Sequence, residues 1–184
     1  MKRGLKIASA LVLGLVLLSW LGPADETLHR VQARAELAMS PAEAWARLRR
    51  FDTPHHYVPG LASSEITTAA REGVGASRRV TMEIGSSLDE TVTRWDEGRG
   101  FRLRLHQGDG APFPFTAAEY IYELRPLGDG RVEIFCEMNY RLAGGVPMRL
   151  VHELGIGSLI AANNDQIVAN LKEYYESSEG APAP

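Results

Sequence analysis

Residues 88–105 read LDETVTRWDEGRGFRLRL, and their period decides the fold. Leu88, Glu90 and Val92 share one side of an alternating run, with Asp89, Thr91 and Thr93 on the other. A two-residue period belongs to a β-strand with one buried face. Glu97–Gly100 then reads as a hairpin turn, after which Phe101, Leu103 and Leu105 alternate with Arg102, Arg104 and His106. Two strands joined by so tight a turn pair antiparallel.

The same period extends in both directions. On the amino-terminal side, Val80, Met82 and Ile84 alternate with Arg79, Thr81 and Glu83, preceded by a Gly73–Gly75 turn and a short strand over Ser64–Ala69. On the other side, a loop at Gly108–Pro114 leads to a strand with Ala118, Tyr120, Tyr122 and Leu124 on one face. Gly128-Asp129-Gly130 turns the chain into a last strand marked by Val132, Ile134, Cys136, Met138, Tyr140 and Leu142. This is an antiparallel meander with one wet face. A first strand lies upstream, over Thr27–Met39. Ser40-Pro41-Ala42-Glu43 follows it with the signature of a capped helix start, and Ala44, Trp45, Leu48 and Phe51 give that helix an apolar face. Pro54–Pro59 is an aromatic link or a short second helix.

After the meander the period becomes helical. Leu150, Leu154, Ile160, Ile167, Leu171 and Tyr174 mark an apolar stripe from about Pro147 to Tyr175, weakened in the middle by Gly155 and Gly157. The predicted architecture is α+β: a curved antiparallel sheet of about seven strands gripping a long carboxy-terminal helix, with two short helices after the first strand. One helix cannot fill the concavity of such a sheet, so a cavity is expected between them.

The ends differ from this domain. Residues 1–24 place Lys2, Arg3 and Lys6 ahead of an uncharged run from Ile7 to Leu21. That is the pattern of a secretory signal, with Gly22 and Ala24 at the −3 and −1 positions of a cleavage site. An uncleaved membrane anchor through residues 5–21, with Trp20 at the interface, is the other reading. Either way the basic flank stays in the cytoplasm and the domain faces the non-cytoplasmic side, in the cell envelope or the periplasm. Without the leader, the chain's 20 basic residues fall to 17 against 23 acidic ones, and the formal charge goes from −3 to −6. Nothing in that balance points to nucleic acid. SSEGAPAP, within 177–184, reads as a disordered tail. One cysteine, Cys136, excludes an internal disulfide framework and any multi-cysteine metal site.

Four segments together resemble a known superfamily. They are SPAEAWARLRRFDTPHHYVPG (40–60), GVGASRRVTM (73–82), LDETVTRWDEGRGFRLRL (88–105) and LGDGRVEIFCEMNY (127–140). In order and spacing over residues 27–176 they are similar to the START and birch-pollen-allergen superfamily, in particular to its polyketide cyclase/dehydrase and lipid-transport branch. The resemblance implies a helix-grip fold and a cavity for an apolar or amphipathic small molecule. It supports binding more strongly than catalysis.

Candidate site residues follow from both sources. The alternation puts Glu90 on the concave face, where a bare carboxylate is costly. Ligand-sensing relatives carry a cavity glutamate in the matching strand. Its bland role is as a partner of Arg94 or as a strand-end residue in water. Tyr120, Tyr122 and Tyr140 share apolar faces, where a flat body and one hydroxyl suit an amphipathic ligand or ordinary packing. Met138 and Cys136 are soft filling. In relatives the link that holds His55, His56 and Tyr57 lies near one end of the cavity. The loop with Phe113 and Phe115 matches one over the cavity entrance; these rings reach a membrane, a ligand tail or the final helix. Of Asn163 and Asn164, one is expected to turn inward.

The scattered histidines do not make a metal site, no cofactor is expected, and no protein partner can be named. The functional expectation is a binding or transfer protein for a lipid or other apolar molecule. The alternatives are a polyketide cyclase or dehydratase using Glu90 and Tyr120, and an interaction module with no ligand.

Overall fold

In the computed structural model, which describes residues 26–177, the meander forms one seven-stranded sheet in the order β1-β7-β6-β5-β4-β3-β2. The leader and the tail beyond Ser177 lie outside the described residues. The strands are β1 (His29–Leu37), β2 (Leu61–Ile66), β3 (Ser77–Met82), β4 (Ser87–Asp96), β5 (Gly100–His106), β6 (Phe115–Gly128) and β7 (Arg131–Leu142). Every neighbouring pair is antiparallel. From β2 to β7 the chain moves one strand at a time across the sheet, and β1 closes the far side by pairing with β7.

Helix α1 (Pro41–Leu48) starts as its sequence requires. The Ser40 hydroxyl accepts from the Glu43 amide, and the Glu43 carboxylate accepts from the Ser40 amide. Its buried face is Ala44, Trp45 and Leu48. The Trp45 ring meets Trp95 edge-on at 5.0 Å and donates from Nε1 to Glu97 at 3.1 Å, so α1 clamps the β4–β5 hairpin. At Gly100, where φ is +153°, a side chain would overlap the carbonyl of Tyr122, so only glycine lets β5 lie against β6 there. The second expected short helix is a single 3₁₀ turn, Pro54–His56. β3 stops at Met82 rather than running on to Ile84, which lies exposed in the Gly85 turn. β2 begins at buried Leu61, three residues earlier than expected, and ends at Ile66.

The final helix is two helices. α2 (Gly145–Val151) runs into a π-helical turn (His152–Ile156), whose backbone leaves helical angles at Gly155, and α3 (Gly157–Glu176) follows. α3 buries Asn164, Ile167, Val168, Leu171, Tyr174 and Tyr175 against the concave side of the sheet. Its far end is tied to β1, where Glu176 accepts from the Ala38 amide and from Lys172. Leu150 and Leu154 do not join the buried stripe; both face outward, and Met148 and Val151 do the packing in α2.

The core is correspondingly divided. A large cluster joins α1, the sheet and the carboxy-terminal half of α3. A smaller one joins Ala118, Tyr140 and Leu142 to Met148 and Val151 of α2. Between them the helix stands off the sheet.

Candidate ligand cavity

The space between the two core clusters is a cavity of about 550 Å³. Its sheet wall carries Val80, Met82, Leu88, Leu105 and Met138; its helix wall carries Ile156, Leu159, Ile160 and Ile167. Phe113, Phe115, Ser86, Ser87 and Gln107 complete the lining from the β4 and β6 ends and the loops beside them. Alternation explains the apolar wall, because the inward positions of β3 to β7 are the apolar ones. A groove of similar size, about 570 Å³, lies on the outer face of the sheet and is lined by arginines and carboxylates.

The charged groups in the cavity are two and come from neighbouring strands. Arg78 of β3 stands directly opposite Glu90 of β4 in the strand register. Two guanidinium nitrogens reach Glu90 Oε2 at 2.5 Å each, and the third donates to the Phe51 carbonyl at 2.5 Å. Arg78 also lies 4.4 Å over the Phe51 ring. Only 2% of the Arg78 side chain is exposed, against 13% for Glu90. Burial alone would release the Arg78 proton more readily, yet the facing carboxylate outweighs it and holds the guanidinium above its ordinary value. Glu90 Oε1 makes no hydrogen bond among the described residues, so the carboxylate keeps an acceptor for something else.

The tyrosines form the rest of the polar floor. Tyr120 donates to Asn164 Oδ1 at 2.6 Å, whereas the Asn164 amide nitrogen is buried without a hydrogen-bond partner. Burial pushes the phenols of Tyr120 and Tyr122 well up and that of Tyr57 to about 12, so all three stay neutral at physiological pH. Burial likewise raises the Cys136 thiol to about 12 and leaves it without nucleophilic character.

Of the residues singled out from the sequence, Glu90, Tyr120, Tyr122, Met138, Phe113, Phe115 and Asn163 line this one cavity. Two do not. Tyr57 is buried behind the wall, against the rings of Tyr174 and Tyr175 at 6.2 and 6.3 Å. Tyr140 belongs to the smaller core cluster, its hydroxyl on His152 Nε2 at 2.7 Å and its ring 5.3 Å from both His29 and Phe115. Both share a strand or link with the lining, but the curvature and the break in the final helix turn them to other packing. The partner of Glu90 is Arg78, and Arg94 pairs with Asp96 instead.

Arg78 is the residue that sequence reasoning missed. Its signal was present: it stands two positions before Val80, hence on the apolar face of its strand, opposite Glu90 once the hairpin is drawn. His55 and His56 lie with rings 4.1 Å apart and His56 stacked on Tyr174, and no cluster of three metal-binding side chains occurs among the described residues.

The profile of the family described as polyketide cyclase/dehydrase and lipid transport matches residues 29–176. Solved structures agree on the fold at low identity. A START superfamily protein from Mycobacterium smegmatis is 19% identical, with a TM-score of 0.57 over 79% of this chain and 98% of its own. A protein from Thermus thermophilus is also 19% identical, with a TM-score of 0.62 over 80% and 97%. Ara h 8.0201 is 18% identical, with a TM-score of 0.56 over 81% and 98%. No curated protein matches the sequence.

Proposed function

Because this chain belongs to the polyketide cyclase/dehydrase and lipid transport family, we propose that it is a binding or transfer protein for an amphipathic, largely apolar small molecule. The reading rests on one observation: a cavity of about 550 Å³ whose walls are apolar and whose polar groups converge at Arg78, Glu90 and the tyrosines. That size and mixture fit a small-molecule site. The apolar body of the ligand lies between Met138, Leu88 and Ile160, and a hydroxyl or amide at its inner end donates to Glu90 Oε1. A lipid or similar product of membrane metabolism has this chemistry. The leader, residues 1–24, supports a place in the cell envelope, with the domain on the non-cytoplasmic side, whether the segment is cleaved or retained.

The catalytic alternative uses Glu90 as base and Tyr120 as carbonyl polariser. It draws on the carboxylate facing the cavity. Two contacts weigh against it: Glu90 is held by Arg78, and the Tyr120 proton is directed to Asn164.

Native mass spectrometry of the full chain, purified from cells in mild detergent, tests the binding reading. A stoichiometric apolar compound, lost on organic extraction and regained on incubation with a lipid extract, is the expected result. A chain that is empty and takes up no member of the extract overturns it.

A further inference from the structure

The exposed leucines of the final helices have no role inside the fold. Val146, Leu150 and Leu154 follow one another at four-residue spacing along α2 and the π turn, and Leu159 follows them past the turn. They are 59%, 44%, 77% and 70% exposed, and Phe113, with Leu159 part of the cavity lining, is 54% exposed. A soluble domain has no use for an open row of large apolar side chains that continues into the wall of its ligand cavity.

Two further observations say what covers it. First, the chain enters the fold at this end. His29, the first residue of β1, packs its ring 4.1 Å from His152 of the π turn, and the Glu26 carbonyl accepts from Arg141 at the end of β7. Leu21, the last residue of the apolar run in the sequence, precedes Glu26 by five residues, which span at most about 18 Å. Second, this end of the outer sheet face carries Arg30, Arg104 and Arg141, none of which has an ion-pair partner among the described residues. Of the carboxylates in the same groove, Glu119 and Glu137 are already engaged, by Arg102 and by Gln32 with Asn139, and Asp109 alone stands against the three arginines.

We propose that Val146, Leu150, Leu154, Leu159 and Phe113 form a docking face for a bilayer containing anionic lipid, with Arg30, Arg104 and Arg141 over the headgroups. The cavity then opens onto the membrane. This rests on the reading of residues 5–21 as a retained membrane anchor, which holds the face within reach of the surface. An amphipathic face with cationic flanks lies in the headgroup region in this manner.

The test uses the full chain in vesicles, with a bimane probe on Leu154→Cys. The only native cysteine, Cys136, is fully buried and does not compete. Asp129→Cys, in the β6–β7 turn at the opposite end of the sheet, is the control. In phosphatidylcholine vesicles containing phosphatidylglycerol, the probe at 154 is expected to shift to the blue and to be quenched by spin-labelled lipid, while that at 129 does neither. The double variant Val146→Glu/Leu150→Glu abolishes the quenching without changing the circular dichroism, since both side chains are exposed and neither lines the cavity. An unquenched probe at 154 on vesicle-bound chain overturns the docking, as does a chain that does not associate with vesicles. A blue shift without lipid quenching assigns the face to a second copy of the chain and also overturns it. Quenching that ignores phosphatidylglycerol overturns the role of the arginines. Docking failure in a chain that carries its compound leaves the binding reading intact, and quenching in an empty chain does the reverse.

Discussion

Arg78 and Glu90 concentrate the energetics of the cavity. A buried pair of this kind contributes little net stability, but removing one partner strands the other charge in an apolar wall. Arg78→Met is therefore expected to cost about 3–5 kcal/mol in urea unfolding. The double variant Arg78→Met/Glu90→Leu recovers most of that loss, because no charge is left behind. If the double variant is as unstable as the single one, the guanidinium acts mainly through its bond to the Phe51 carbonyl. A second consequence concerns Cys136, whose thiol burial holds near 12. At pH 8 a thiol reagent should not react with the folded chain and should react fully once urea unfolds it. Raising the pH toward 10 leaves the folded thiol protonated, so partial labelling there without unfolding would contradict the packing around Cys136. Both residues show what the sequence reveals at this scale. Glu90 was legible because a carboxylate broke an apolar alternation. Arg78 broke the same alternation one strand earlier, but a strand rich in arginine hid it, and only the cross-strand register joins the two.

At the scale of elements, the strands were legible and the final helix was only partly so. Strand alternation is local and survives curvature, which is why the meander from β3 to β7 matches the sequence except at its turns. The expected helix stripe rests on a run of leucines. At about 100° per residue, Leu150 and Leu154 stand roughly 100° and 140° from Ile167 even on an unbroken helix, so phase opposed them from the start. The π turn adds a further shift that no count of apolar residues shows. Gly157 follows that turn as the first residue of α3. A Cβ placed there would sit 2.7 Å from the His152 ring, which the glycine admits against the start of α3. Replacing a helical glycine by alanine ordinarily stabilises by about 1 kcal/mol. Here the methyl group must displace His152 from its bond to Tyr140, worth about 1 kcal/mol or more. Gly157→Ala is thus expected to bring no gain in thermal stability, and to alter the NMR signals of His152 and Tyr140. A gain of the full helical amount would mean that the ring moves freely and the turn is not fixed by it.

For the whole molecule the question is whether the cavity is a working space or an imperfectly filled core, and a single substitution separates the two. Met138 of β7 lines the cavity, opposite Tyr120 in the register of β6 and β7. In a filled core, Met138→Trp forces the surrounding side chains apart and costs about 1–3 kcal/mol. In a chain built around a void of about 550 Å³, the indole has room and buries apolar surface that the empty protein leaves uncovered. The two cases therefore differ in sign for the ligand-free chain. Delipidated Met138→Trp is expected to unfold at the same or a higher urea concentration than the delipidated parent. With ligand the order reverses. A molecule that binds only the folded chain stabilises it by about 2.7 kcal/mol at a hundred times its Kd, and the indole occupies the space that the molecule needs. The parent should gain stability on addition of lipid extract and Met138→Trp should not. A variant that loses stability when delipidated, and responds to lipid as the parent does, would show that the ligand lies elsewhere and that this interior is packing alone.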